Sequence, residues 1–337
     1  MRRAPEFWWR SRTSASARLL FPLGSLIGAV AARRMARPGM RAEVPLICVG
    51  NFVVGGAGKT PTALALAEML IATDERPFFL SRGYGGTRRP EPIVVDQDRA
   101  RAADVGDEPL LLAKVAPTIV GADRIAAARL AVSRGATAIV MDDGLQSRSL
   151  ELDLALAVVD GETGVGNGLT LPAGPLRAPL AAQMPYVSAV VVIGPGAAGE
   201  AVAWAARRAS TPVLRATLMP DIDAICRLQG RRVLAFAGIG RPQKFFATLE
   251  RAGVTVEERI AFPDHHRFVP KDIADLVRRA RVRSLALVTT EKDAVRLPQG
   301  SDAVALPVHL TFEEPDKMRG LVEATLARAR ARLKAGS

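Results

Sequence analysis

The feature that most constrains this chain is the run Val53-Val54-Gly55-Gly56-Ala57-Gly58-Lys59-Thr60. It follows an apolar stretch at 44–49 and opens a helical window at 59–72. A strand that dissolves into glycines and re-enters as a helix offers curled backbone N–H groups and a positive helix end, both suited to phosphate oxygens. The Gly-Lys-Thr ending matches a phosphate-binding loop, with Lys59 reaching the β- and γ-phosphates and the Thr60 hydroxyl placed for Mg²⁺. Val53 stands where the consensus has its first Gly, so the loop is an irregular variant. The whole stretch from Val53 to Thr60 is expected to hold ATP.

Such a loop needs a parallel sheet behind it. Apolar runs at 77–80, 138–141, 154–159, 189–193, 213–217, 233–237, 254–260 and 285–288 read as strands. Helical windows at 123–134, 200–209, 243–252 and 271–279 alternate with them. Near-continuous apolar strands separated by helices predict an α/β fold whose parallel sheet is covered on both faces. With 337 residues, two lobes are expected. The expected division is an N-terminal segment 1–43, a P-loop lobe 44–184 and a second, smaller α/β lobe 185–337.

Charge is unevenly placed. The chain carries +12 overall, yet residues 1–43 hold nine arginines against only Glu6 and Glu43. The body is close to balanced and has no zinc spacing, aromatic run or basic reading helix, so nucleic acid is not an expected partner. In the N-terminal segment Phe7-Trp8-Trp9, Arg10, Arg12 and Arg18 precede an apolar run at 19–32, and Arg33, Arg34 and Arg37 follow it. Fourteen residues are too few to span a bilayer, which takes about 20. The expectation is an amphipathic helix lying in a membrane surface, with arginines on lipid phosphates and Trp and Leu in the acyl boundary; the alternative is an amphipathic helix packed on its own domain. Two cysteines, Cys48 and Cys226, fit a reducing compartment.

Other residues suggest chemistry. Asp142-Asp143 ends an apolar strand, where carboxylates face the ligand crevice of an α/β sheet and can meet Mg²⁺. Asp107, in Gly106-Asp107-Glu108-Pro109, reads either as a helix N-cap or as a general base for an attacking hydroxyl. His265 and His266 lie in a loop after a strand, and a histidine beside Asp107 would orient it. Arg82 and Arg177 sit in Gly-rich loops and offer forks of donors to phosphate. Tyr84 is placed to stack on adenine or sugar.

These residues, taken with Ser81-Arg82-Gly83-Tyr84-Gly85-Gly86, Leu171-Pro172-Ala173-Gly174-Pro175-Leu176-Arg177, Ala237-Gly238-Ile239-Gly240, Asp264-His265-His266 and Thr289-Thr290-Glu291-Lys292-Asp293, make the chain similar to the tetraacyldisaccharide 4'-kinase (lipid A 4'-kinase) family of Gram-negative bacteria. The resemblance covers most of the chain. It implies a kinase on the cytoplasmic face of the inner membrane, peripheral or monotopic, moving the γ-phosphate of ATP to the 4'-hydroxyl of a tetraacyldisaccharide 1-phosphate. It further implies a Rossmann-like second lobe, Asp107 as base, His265 as its helper, and Asn51 beside Arg82, Tyr84 and Arg177 on the substrate. A monomer is expected. Ala178 follows Arg177 where the family commonly has Glu, which makes Glu108 a candidate to join Thr60, Asp142 and Asp143 around the metal. The rival readings are a membrane-associated P-loop ATPase switch, which usually carries an extra Lys where this chain has Val54, and a non-catalytic nucleotide sensor.

Overall fold

The computed structural model describes residues 4–10, 14–87, 91–298 and 300–335. Arg12 therefore lies outside the described residues. In chain order the strands are β1 (Leu46–Asn51), β2 (Pro77–Ser81), β3 (Ile93–Val94), β4 (Thr118–Val120), β5 (Ala138–Asp142), β6 (Leu154–Asp160), β7 (Ala189–Ile193), β8 (Val213–Pro220), β9 (Arg232–Ala237), β10 (Thr255–Ala261), β11 (Ala286–Thr290), β12 (Val304–Leu306) and β13 (Val308–Phe312).

Nine of them form one sheet in the order β13-β8-β7-β6-β1-β5-β2-β4-β3. All its pairings are parallel except the two outermost, β13 on β8 and β3 on β4. Every residue of β1, β5, β6 and β7 is buried, as expected of strands covered on both faces. The helices Lys59–Ile71 and Pro315–Ala335 cover one face through Ala63, Leu66 and Leu70 with Val322 and Leu326. The helices Arg124–Ser133 and Ala197–Arg208 cover the other through Ala127, Ala131, Val202 and Ala206.

The second sheet is parallel, in the order β10-β9-β11-β12. This corrects the expected division at residue 185. β7 and β8 continue the first sheet, and the chain leaves it only after Pro220 and returns at β13. The terminal helix Pro315–Ala335 also belongs to the first lobe, where Arg330 pairs with Glu75 at 2.6 Å and Arg332 with Asp153. The second lobe is thus an insertion between β8 and β13. Strands of both lobes have the same apolar pattern, so periodicity carried no boundary.

The N-terminal helix also departs from expectation. It runs Ala15–Met35, 21 residues, so it is long and apolar enough to cross a membrane by length and composition. It touches the body along a narrow stripe, Ala17, Gly24, Gly28 and Met35, while Leu19, Phe21, Leu23, Leu26, Ile27 and Val30 are exposed. Thr170 Oγ1 donates to the Gly24 carbonyl at 2.5 Å. Both ends are tied to the same lobe. Before the helix, Trp8 Nε1 donates to the Pro172 carbonyl at 3.0 Å; after it, Met40 N–H donates to the Ser149 carbonyl at 2.9 Å. A helix of this length is about 30 Å long, and with both ends on one body it lies along that body rather than leaving it.

Candidate active site

In an open α/β sheet, ligands gather where the strands end at their carboxyl side. β1 ends at Asn51 and passes into the glycine loop; β5, its neighbour, ends at Asp142. Gly58 adopts φ +91° at the helix start, a left-handed conformation that glycine takes without strain. The loop is braced on all sides. Asn51 Nδ2 donates to the Gly55 carbonyl at 3.1 Å, and Lys59 Nζ to the same carbonyl at 3.2 Å. Arg177 Nε donates to the Val53 carbonyl at 3.1 Å, and Val54 N–H to the Pro175 carbonyl at 2.9 Å. Val54, Gly55 and Gly56 stay exposed, Thr60 is half-buried, and Ala57 packs inward.

The two acids at the end of β5 have different company. Asp143 accepts from Arg177 Nη2 at 2.7 Å and lies 4.0 Å from Lys59 Nζ. Burial pushes its carboxyl up, but Lys59 and Arg177 outweigh it and hold it below the ordinary value. Asp142 is only 2% exposed, and neither carboxylate oxygen has a hydrogen-bond partner among the described residues. Burial first, then the negative charge of Glu108, pushes Asp142 up to about 7 despite Lys59. Beside it lies Arg124, which the sequence reading missed. Arg124 is 3% exposed, donates one long hydrogen bond to the Asp142 carbonyl, and leaves Nε and Nη1 without partners. Its position, first in a helix that begins just past β4, was the available signal.

Asp107 starts the helix Asp107–Ala113. Gly106 before it has φ +91°, and a Cβ there would sit 2.5 Å from the Tyr84 carbonyl oxygen, so only glycine allows this entry. Asp107 is 3% exposed. Its Oδ1 accepts from the Glu108 N–H at 3.0 Å, and its Oδ2 accepts from His265 Nδ1 at 3.0 Å and lies 3.5 Å from Arg296 Nε. Burial raises its pKa, but the His265 hydrogen bond and the charges of Lys292 and Arg296 prevail and hold it at about 2. His265, Lys292 and Arg296 all come from the second lobe. Lys292 Nζ donates to Glu108 Oε1 at 2.9 Å, and Lys114 pairs with Glu291 at 2.9 Å. A further interlobe contact joins Asp160, at the end of β6, to Lys244 at 2.8 Å and to Arg241.

The predicted residues thus sort into three groups. Lys59, Asp142, Asp143 and the loop meet at one sheet edge. Asp107 and His265 meet across the lobes, and Glu108, the neighbour of Asp107 in sequence, links the two groups through its charge on Asp142. Several residues expected on the substrate or metal have partners within the protein instead. Asn51 and Arg177 brace the loop, Glu108 is bonded to Lys292, and the Tyr84 ring meets His265 edge-on at 5.6 Å. Arg82 is exposed and lies near enough to Arg124 to weigh on its charge. The second histidine, His266, is structural: it bonds Asp272 at 2.8 Å and stacks on Phe262. Position 178 is fully buried.

A family model described as tetraacyldisaccharide-1-P 4'-kinase (LpxK) matches residues 16–327. The tetraacyldisaccharide 4'-kinase of Methylobacterium nodulans is 58% identical over 325 residues, covering 96% of each chain. That of Bradyrhizobium diazoefficiens is 50% identical over 335 residues, covering 98% of each. Among solved structures, LpxK from Aquifex aeolicus in complex with ATP is similar with a TM-score of 0.72 at 25% identity, over 92% of this chain and 99% of that one.

Proposed function

The chain belongs to the tetraacyldisaccharide-1-P 4'-kinase family, and from that premise we propose how its residues divide the work. The protein is an ATP-dependent lipid A kinase that phosphorylates the 4'-hydroxyl of a tetraacyldisaccharide 1-phosphate. The loop from Val53 to Thr60 cradles the triphosphate, and Lys59 neutralises oxygens of the β- and γ-phosphates. The 4'-hydroxyl oxygen bonds to the γ-phosphorus as the bond to ADP breaks, and its proton passes to the Asp107–His265 pair. In a loose transition state the hydroxyl becomes acidic only as the new bond forms, so a weakly basic carboxylate is adequate. The single observation that carries this reading is the meeting of Asp107 and His265 at 3.0 Å across the lobes, next to Glu108, whose charge acts on Asp142.

The orphaned oxygens of Asp142 fit a hard divalent cation, and Mg²⁺ takes few carboxylates beside phosphate oxygens. Thr60, Asp142 and Asp143 are the residues to hold it. Mg²⁺, when bound, supplies charge neutralisation on the phosphates. Glu108 supports that set from behind, through its charge and its bond to Lys292. Arg124, with two free N–H groups, and Arg82 are suited to anionic oxygens of the substrates. The exposed apolar face of the N-terminal helix, flanked by Arg18, Arg33, Arg34 and Arg37, favours a membrane surface. ATP use and two free cysteines favour the cytoplasmic face.

A second assignment is favoured by exposure. His265 is the more open member of the pair, its side chain 22% exposed against 3% for Asp107, so the imidazole can meet the hydroxyl with Asp107 orienting it. Incubating the purified protein with γ-labelled ATP and the disaccharide tests the activity. Label on the 4' position is expected; hydrolysis of ATP with no labelled lipid would favour the ATPase reading. A His265→Asn variant as damaged as Asp107→Asn would favour the second assignment.

A further inference from the structure

Beyond the site, the molecule carries an apolar cavity of about 770 Å³, within the ~300–1,000 Å³ range of small-molecule sites. Leu180, Met184 and Val187 line one side; Ala205, Arg208 and Thr211 line the other. No carboxylate lines it among the described residues. Arginine–aromatic pairs flank it. The Arg208 guanidinium lies 4.8 Å over the Trp204 ring, and Trp204 is 60% exposed. Arg148 lies 4.7 Å over the ring of Tyr186, the neighbour of Val187 in sequence.

This groove adjoins the N-terminal helix by two routes. Gly28 packs against Pro179, which precedes Leu180. Past the helix, Arg41 bonds Glu151 at 2.9 Å, and Arg148 acts on that same carboxylate. Amphipathic aromatic rings at headgroup depth and cationic heads toward lipid phosphates are the marks of a bilayer interface.

We propose that the membrane-facing surface continues from the N-terminal helix into this groove, which takes an acyl chain of an anionic phospholipid while Arg208 and Arg148 meet its phosphate. The proposal rests on the membrane reading of that helix. It adds a second lipid contact, on the flank formed by the helix Ala197–Arg208, and so fixes the rotation of the body on the bilayer. A single amphipathic helix leaves that rotation free.

The test uses the full chain on mixed phosphatidylcholine–phosphatidylglycerol vesicles doped with either phosphatidylcholine or phosphatidylglycerol photoreactive at the end of its acyl chain. Adducts are mapped by peptide mass spectrometry. Adducts are expected on the exposed helix face and also on the peptides spanning 180–187 and 204–211. Ala205→Trp, which fills the groove, should lower the groove adducts about tenfold and leave those on the helix unchanged. Arg208→Glu, which reverses the charge at the groove, should weaken the groove adducts' preference for phosphatidylglycerol and leave that of the helix adducts unchanged. Adducts confined to the helix, or groove adducts indifferent to both variants or to lipid charge, would overturn the groove and leave the helix reading intact. Absence of adducts from both would overturn the membrane reading itself.

Discussion

Asp142 and Asp107 are buried almost equally, at 2% and 3% exposed, yet their carboxyls are driven in opposite directions. Asp142 has no donor on either oxygen and is pushed up to about 7; Asp107 faces a histidine, a lysine and an arginine and is held at about 2. Burial alone raises a carboxyl's pKa in both places, so the difference reflects the charges around each: Glu108 adds to the rise at Asp142, and His265, Lys292 and Arg296 reverse it at Asp107. The phosphate side comes from one lobe and leaves a negative charge unanswered, as a site that receives a cation with its nucleotide must. The acceptor side is answered by the second lobe, so it exists only when the lobes meet. In the proposed division of work, the nucleotide half is built within one lobe and the acceptor half depends on the interface.

The largest test of that contrast is a pair of substitutions. Asp107→Asn should lower kcat by about 10²–10⁴-fold with ATP affinity within about twofold of the parent. Lys59→Ala should lower kcat by about 10²–10³-fold and weaken ATP binding as well. Equal damage to ATP binding in both would break the division between the two sides.

The next concerns pH. Because the folded pKa of Asp142 is raised to about 7, the protonated carboxyl suits the fold. In chelator, Asp142's own contribution to stability should be fullest below its ordinary value and be lost as pH rises toward about 7. Melting curves should drop by on the order of a few °C across that window, and Asp142→Asn should flatten the slope. Asp107 behaves in the opposite sense: its contribution is present above its ordinary value and vanishes only as pH falls toward about 2.

Lys292→Met strips Glu108 of its partner and Asp107 of a nearby charge. A loss of about 1–3 kcal/mol in stability is expected, with a several-fold fall in kcat and ATP affinity unchanged. A variant with normal kcat would show that the lobes need not be held by this bond. Glu291→Gln removes the more exposed pair with Lys114 and should cost under about 1 kcal/mol, with kcat intact.

The same contrast explains what the sequence made legible. The phosphate side is local: the glycine loop, the Lys-Thr pair and the acids after β5 lie in short motifs whose geometry follows from a strand turning into a helix. The acceptor side joins residues 158 positions apart, and only the family resemblance linked Asp107 to His265. Arg124 has only its place at a helix start to mark it, and Arg296 has no local mark; each gains its role from an aspartate on another element. The lobe boundary was illegible for a similar reason, since apolar strands look alike whichever sheet they join. The unbroken apolar run understates the N-terminal helix, because Arg18, Arg33 and Arg34 lie within it with exposed side chains.

The account stands on Asp107 and His265 acting as one unit assembled from two lobes. A double-mutant cycle on kcat measures this, using Asp107→Asn, His265→Ala and both together, with ATP affinity followed alongside. If they act as one unit, the double variant will be no slower than the worse single variant, and ATP affinity will be preserved throughout. Losses that multiply, each substitution costing its full factor in the presence of the other, would show two independent residues and contradict the account.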